Sequence, residues 1–85
     1  MKAEVEVIEE PRGVFTFSVG KMDMIVVEDC GVKIVAPRNV IFGTDLLWLL
    51  KAACNISIFL LMKRISTLEE VRAHVKIHEK LWEME

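Results

Sequence analysis

The chain has 85 residues, of which 53% are apolar and 28% are charged, and its formal net charge is −2. A chain of this length builds one hydrophobic core, so we expect a single domain over residues 1–85. The slightly acidic balance and the scattered Lys and Arg residues argue against nucleic-acid binding, which needs a concentrated basic face.

The apolar content exceeds what one small core needs. Typical globular domains are about 45 to 50% apolar with glycine included, and a chain of this size buries only about 60% of its unfolded surface. The surplus predicts an interaction surface, because large exposed apolar patches mark contacts with another chain or with a membrane. We therefore expect a homo-oligomer, either a homodimer or a higher oligomer.

Two hairpins are predicted in the N-terminal half of the chain. Val5 and Val7 alternate with glutamates, and the same two-residue period returns in "FTFSV" after the turn "EPRG". The segment "MDMIVV", the turn "EDCG" and the segment "VKIVA" repeat this arrangement. Two consecutive hairpins predict a four-stranded antiparallel meander with one face that needs cover. The last strand should end before Pro37, which has no N–H to donate to a ladder.

The segment "DLLWLLKAACNISIFLLM" predicts a helix that begins near Thr44. Threonine is a good N-cap, and Asp45 in the first turn meets the positive end of the helix dipole. Residue preference changes at Asn55, since "DLLWLLKAAC" consists of helix formers and "ISIFLLM" contains β-branched isoleucines. We predict a helix to about Cys54 and a buried strand from Ile56 to Met62. The alternative is one continuous helix, which leaves four strands and a two-helix hairpin.

The same segment is a marginal candidate for a membrane span. Crossing a hydrocarbon core takes about 20 mainly apolar residues, and a lysine at the centre costs about 2.5 to 3.5 kcal/mol. The stretch has 18 residues, with Lys51 and Asn55 near its middle. A membrane location is therefore not expected.

A second helix is predicted from Leu68 to the end of the chain. Thr67 and Glu70 have capping-box spacing, and strong helix formers follow. At about 100° per residue, the polar residues gather on one narrow side and leave a wide apolar arc. We expect this arc, together with a tryptophan of the preceding helix, to form the interface of the oligomer. The residues predicted for this interface are Val71, Val75, Leu81, Trp82 and Trp48.

His74 and His78 are the candidate metal ligands. Their i, i+4 spacing on a helix places both imidazoles on one face, where they would bind one divalent transition metal ion. Both residues fall in the apolar arc, and a pair without a clear third ligand is more typical of hydrogen-bonded structure. We therefore expect no cofactor. The alternative function is that of a protein that binds a metal ion through His74 and His78.

The patterns that support catalysis are missing from the sequence. It contains no glycine-rich phosphate loop, no GxSxG motif and no HExxH motif. Lys51 most simply lays its stem on the apolar surface and brings its ammonium group to water. Cys30 stands beside Asp29, which opposes thiolate formation, and Cys54 is assigned to the core. We expect a protein that is not an enzyme.

These features predict an α+β protein with two antiparallel hairpins, a helix, a buried strand and a C-terminal helix, both helices lying on one face of the sheet. The expected function is that of a small interaction or regulatory module that acts as a homo-oligomer, with room for another protein partner. A third alternative is a dimeric nucleic-acid-binding regulator that contacts phosphates through Lys21, Lys33 and Arg38. The lack of a secretory signal predicts the cytoplasm, and the scarcity of Asn and Gln suggests a thermophilic source.

Overall fold

The computed structural model describes residues 4–37 and 43–84. Four strands followed by two helices form an α+β fold, so the predicted fold class and the order of these elements are confirmed. In chain order the elements are β1 (Val5–Glu9), β2 (Phe15–Val19), β3 (Met22–Glu28), β4 (Gly31–Ile34), α1 (Thr44–Leu61) and α2 (Leu68–Glu83).

The strands form an antiparallel meander in the order β1-β2-β3-β4, as the two-residue alternation predicts. In the first hairpin the Val14 N–H donates to the Pro11 carbonyl, and Gly13 has a φ of +83°. Glycine adopts this left-handed conformation without steric cost, which explains its place in the turn. The meander leaves β1 and β4 as the edge strands of the sheet.

One face of the sheet supplies a large part of the core. Val7, Phe17 and Ile25 lie in one row across β1, β2 and β3, and Phe15 pairs with Val27 in the next row. All five side chains are at most 4% exposed. Phe17 is therefore enclosed on both sides along the sheet and covered from above.

Both helices cover this face. α1 lies over β3 and β4, α2 lies over β1, and the helices pack against each other. Leu49, Ala53 and Ile56 of α1 are completely buried. The Ser57 hydroxyl donates a 2.7 Å hydrogen bond to the Glu28 carbonyl at the end of β3, which fixes the position of α1 along the sheet.

The predicted strand from Ile56 to Met62 is wrong, because α1 continues without a break to Leu61. Asn55 does not end the helix, since its side-chain amide lies 3.3 Å from Nε2 of His78 on α2. Ile56 is completely buried. Burial and the contact with α2 outweigh the β preference of the isoleucines. The alternative of four strands and a two-helix hairpin is confirmed.

α2 begins as predicted from the sequence, whereas the N-cap of α1 lies one residue earlier than predicted. Asp45 lies in the first turn of α1 as predicted, but the N-cap is Gly43, because Thr44 is already helical. The capping box of α2 is present, with the Thr67 hydroxyl accepting from the Glu70 N–H and the Glu70 carboxylate accepting from the Thr67 N–H. The hydrogen bond from the Thr67 hydroxyl lowers the pKa of Glu70.

α1 ends in a Schellman motif built around a lysine. Lys63 has a φ of +56°, its N–H donates to the Leu60 carbonyl, and the Arg64 N–H donates to the Phe59 carbonyl. In this left-handed conformation the Cβ atom of an L-residue approaches the following carbonyl oxygen too closely. The turn between α1 and α2 therefore contains a strained residue where glycine is the usual choice.

We expect Lys63→Gly to stabilise the fold. Glycine avoids a steric penalty of about 1–2 kcal/mol, and part of this gain is lost because glycine has greater freedom in the unfolded chain. The free energy of unfolding should rise by about 0.5 to 1 kcal/mol in urea titrations at one fixed protein concentration. Lys63→Ala is the control, since it removes the same charge and keeps the Cβ atom. An equal gain from both variants would show that charge, and not backbone conformation, determines the effect.

Candidate interaction surface

Three side-chain pairs hold the two helices in antiparallel register. The pairs follow each other at intervals of one turn on both helices, and each step forward along α1 is a step back along α2. They are Lys51 and Trp82 (5.3 Å from Nζ to the ring centroid), Asn55 and His78 (3.3 Å from Nδ2 to Nε2), and Phe59 and His74 (5.1 Å between ring centroids). These pairs form the seam between the helices. On each helix, the flank that faces away from the sheet lies beside this seam.

The flank of α1 that faces away from the sheet is apolar. Leu47 is 39% exposed, Ile58 52% and Leu61 65%, and Cys54 is also exposed. Their spacing of seven, four and three residues follows the helical period, so they form one stripe along α1. Lys51 is the charged residue within this stripe, and its ammonium group lies over Trp82.

α2 continues this apolar surface beside α1. Ile77, Leu81 and Met84 are 52%, 54% and 82% exposed. Helical geometry places them on the outer flank of α2, because Trp82 faces α1 and Arg72 on the other flank reaches β1. The two helices therefore share one apolar surface above their seam.

We use the term outer helical face for eight exposed residues of the helix pair and the end of α1: Leu47, Cys54, Ile58, Leu61, Met62, Ile77, Leu81 and Met84. Together they expose apolar area on the order of 700 Å², close to the roughly 800 Å² that each partner contributes to a standard protein interface. The largest apolar patch on a typical monomer is about 300 to 600 Å². The outer helical face is thus large enough to be an interaction surface.

The five residues predicted for the interface lie in different surroundings. Trp48, Val71 and Val75 are at most 5% exposed and belong to the core of the single chain. Leu81 is exposed and belongs to the outer helical face, while Trp82 is half-buried at its border. The three core residues support this face from inside and do not form its surface.

Of the eight residues of the outer helical face, the sequence-based prediction of the interface includes only Leu81. The strand predicted from residue 56 places Ile58 and Leu61 in the sheet, and Cys54 is assigned to the core. The structure corrects the last assignment, because Cys54 is an exposed free thiol. If the whole segment is read as one helix, the spacing of Leu47, Cys54, Ile58 and Leu61 already predicts a second apolar stripe.

His74 and His78 lie in the seam and are half-buried. The His74 ring packs against Phe59, and Nε2 of His78 is directed to the Asn55 amide. Across residues 4–37 and 43–84, no group of three or more His, Cys, Asp or Glu side chains is placed to hold a metal ion. Metal binding by the two histidines stays a prediction, and a third ligand would have to come from elsewhere.

Burial in the seam, and to a smaller extent the neighbouring His74, lower the pKa of His78. The unfolded chain therefore takes up a proton on His78 at a higher pH than the folded protein does, starting near the ordinary histidine pKa of about 6.5. We expect the free energy of unfolding to decrease as the pH falls from about 7 to 5.5. Urea titrations at a series of pH values and one protein concentration measure this slope.

The control for this pH dependence is His78→Gln. Glutamine can still hydrogen-bond to the Asn55 amide but does not titrate, so the slope between about pH 7 and 5.5 should become smaller. A slope unchanged in His78→Gln would contradict the assignment, because other groups would then be responsible for it.

Cys30 lies in the turn between β3 and β4, where its thiol is 3.4 Å from the Glu28 carboxylate. The hydrogen bond to Glu28 and the charge of that carboxylate raise the pKa of Cys30, and Asp29 adds to the effect. A thiol with a raised pKa is a poor nucleophile at neutral pH. The sequence-based expectation of an unreactive Cys30 agrees with this geometry, although Glu28 contributes more than Asp29.

The basic residues proposed for nucleic acid lie on different elements. Lys21 is exposed in the turn between β2 and β3, and Lys33 is exposed on β4. Arg38 lies outside the described residues. Lys21 and Lys33 alone do not form the concentrated basic face that phosphate binding requires.

Comparisons of the chain with protein-family models, with curated proteins and with solved structures gave no match. The geometry defines a small α+β domain whose helix pair covers one face of a meander and exposes an apolar surface on its other side. Any assignment of function therefore rests on the surfaces of this chain.

Proposed function

We propose that this protein is a non-enzymatic interaction module that acts as a homodimer, with the outer helical faces of two copies packed against each other. The observation that carries the proposal is the continuous apolar surface that α1 and α2 expose away from the sheet. Complete burial of two such faces would remove on the order of 1,400 Å² from solvent in total, within the range of about 1,200 to 2,000 Å² for stable interfaces. The dimer would have a four-helix layer between two outer sheets.

A second copy of the chain suits this surface because the surface is almost uncharged. A two-fold interface joins the same patch on both subunits, so a strongly charged patch would repel itself. The eight residues of the outer helical face carry no charge, and the neighbouring Lys51 of α1 is held over the Trp82 ring. The apolar stripe of Leu47, Ile58 and Leu61 along α1 can pack against the outer helical face of the partner.

A membrane is a weaker candidate for the same surface. α1 is long and apolar enough to cross a bilayer by length and composition alone, with a mean hydropathy of 1.5 over 18 residues, but a third of that window is buried in the fold. Crossing would remove Leu49 and Ile56 from the core and break the hydrogen bond between Ser57 and Glu28. Helices that lie on a membrane surface usually carry a basic rim, whereas this chain has a net charge of −2.

The proposal includes a location in the cytoplasm. Cys30 and Cys54 are free and exposed, and a reducing compartment keeps such thiols unpaired. The two exposed free thiols are the observation that supports this location.

Size-exclusion chromatography coupled to light scattering tests the homodimer. At about 10 µM protein and without detergent, we expect a mass of twice 9.7 kDa, because an apolar surface of this size should give a dissociation constant in the micromolar range or below. A mass of 9.7 kDa at this concentration would contradict the proposal.

A further inference from the structure

A groove of about 700 Å³ lies between the edge strand β1 and α2, away from the outer helical face. The strand side of the groove consists of residues 4–8. The helix side consists of Arg72, Val75, Lys76, Glu79 and Lys80. The groove thus combines the free edge of a sheet with a helix that carries several charges.

β1 directs backbone hydrogen-bonding groups into this groove. The Gly20 N–H donates to the Glu4 carbonyl across the ladder between β1 and β2. Since backbone groups alternate sides in an antiparallel ladder, Val5 and Val7 direct their N–H and C=O groups to the free edge. Arg72 agrees with this direction, because its Nε and Nη2 donate to the Val7 carbonyl at 3.2 and 2.9 Å. Edge groups of this kind are a template for pairing with another strand.

The helix side of the groove is basic. Arg72, Lys76 and Lys80 stand against one carboxylate, that of Glu79. Glu4 and Glu6 also line the groove, but they alternate with the core-facing valines of β1, so their side chains project to the opposite face of the sheet. A segment that enters between β1 and α2 therefore meets an excess of positive charge on the helix side of the groove.

We propose that this groove binds an extended acidic segment of a partner protein, which adds to β1 as a further strand. Four residues of helix rise about 6.0 Å, and two residues of strand rise about 6.6 Å. Carboxylates at alternate positions of the added strand therefore match the one-turn spacing of Arg72, Lys76 and Lys80. Backbone hydrogen bonds supply affinity in this mode of recognition, and side chains supply selectivity.

Arg72 would bind different acceptors in the free protein and in the complex with the acidic segment. In the free protein its two hydrogen bonds occupy the Val7 carbonyl and shield the edge from indiscriminate strand pairing. The incoming strand needs this carbonyl for its own N–H, so the guanidinium has to release it. A carboxylate of the acidic segment is then a stronger acceptor for the charged donor. Because Arg72 exchanges the Val7 carbonyl for a carboxylate of the partner, the groove favours acidic segments.

Fluorescence anisotropy with the full chain and two labelled peptides tests this site at low ionic strength. The probe alternates valine and glutamate, and the control probe alternates valine and lysine. We expect the glutamate peptide to bind and the lysine peptide not to bind. Lys76→Glu should weaken binding of the glutamate peptide by about tenfold or more, because it reverses a charge in the groove. Lys33→Glu on the opposite edge strand makes the same change in net charge and should weaken it by less than about twofold.

Amide-resolved NMR on the same samples locates the peptide. The Val5 and Val7 amides should shift and become protected from hydrogen exchange, because they gain acceptors in the added strand. Equal weakening by Lys76→Glu and Lys33→Glu would overturn the proposal, since only net charge would then matter. Absence of binding at millimolar peptide, or shifts confined to the outer helical face, would overturn it as well. The site does not depend on dimer formation, which light scattering reports separately.

Discussion

Ile58→Glu should convert the protein from a dimer to a monomer. Ile58 is 52% exposed in the middle of the apolar stripe of α1, so in the proposed dimer its side chain is buried against the partner. Symmetry brings two glutamates into the apolar interface, where unpaired charges are very costly. We expect the dissociation constant to rise more than about a hundredfold, equivalent to about 3 kcal/mol or more, as measured by light scattering over a dilution series.

Ile34→Glu is the matched control for this variant. Ile34 on β4 is the same residue with the same exposed fraction of 52%, but it lies outside the outer helical face. The control should remain a dimer, and both variants should keep the far-ultraviolet circular dichroism of the folded chain. A dimer that survives Ile58→Glu, or dissociates equally in Ile34→Glu, would contradict the role of the outer helical face.

Phe17→Ala should cause the largest loss of stability. Phe17 is fully buried between Val7 on β1 and Ile25 on β3. Truncating such a phenylalanine removes its burial and leaves a cavity, at a cost of about 3–5 kcal/mol. Small domains have a total free energy of unfolding of about 5–15 kcal/mol, so this loss is a large share of the total. Urea titrations at one protein concentration measure the loss.

Thr16→Ala controls for the change in strand preference, because Thr16 is the neighbour of Phe17 on the other face of β2. It should cost less than about 1 kcal/mol. A loss below about 1.5 kcal/mol for Phe17→Ala would be incompatible with the enclosed position of this ring.

Local sequence patterns predict the sheet and the second helix because those elements follow local rules. Alternation of valine with glutamate specifies which face of β1 is buried, and Gly13 and Gly31 mark the turns. The capping box of Thr67 and Glu70 determines where α2 begins, since it needs only residues three positions apart. In each case the deciding interaction lies within a few residues along the chain.

The length of α1 depends on contacts that local patterns do not contain. Asn55 is a frequent helix stop, but here it meets His78, which is 23 positions away along the chain. Ser57 is held by Glu28, which lies 29 positions away. The wrong strand prediction concealed the stripe on which the proposed dimer depends. The groove beside β1 was likewise hidden, because Arg72 reaches Val7 only after the fold has formed.

The most direct test of the proposed dimer is a set of intermolecular nuclear Overhauser effects between differently labelled copies of the chain. Mixed samples of isotopically labelled and unlabelled protein report only contacts between subunits. The homodimer predicts contacts among the methyl groups of Leu47, Ile58, Leu61, Ile77 and Leu81. A spectrum without intermolecular contacts, or with contacts only on the outer face of the sheet or at the edge of β1, would contradict the proposal.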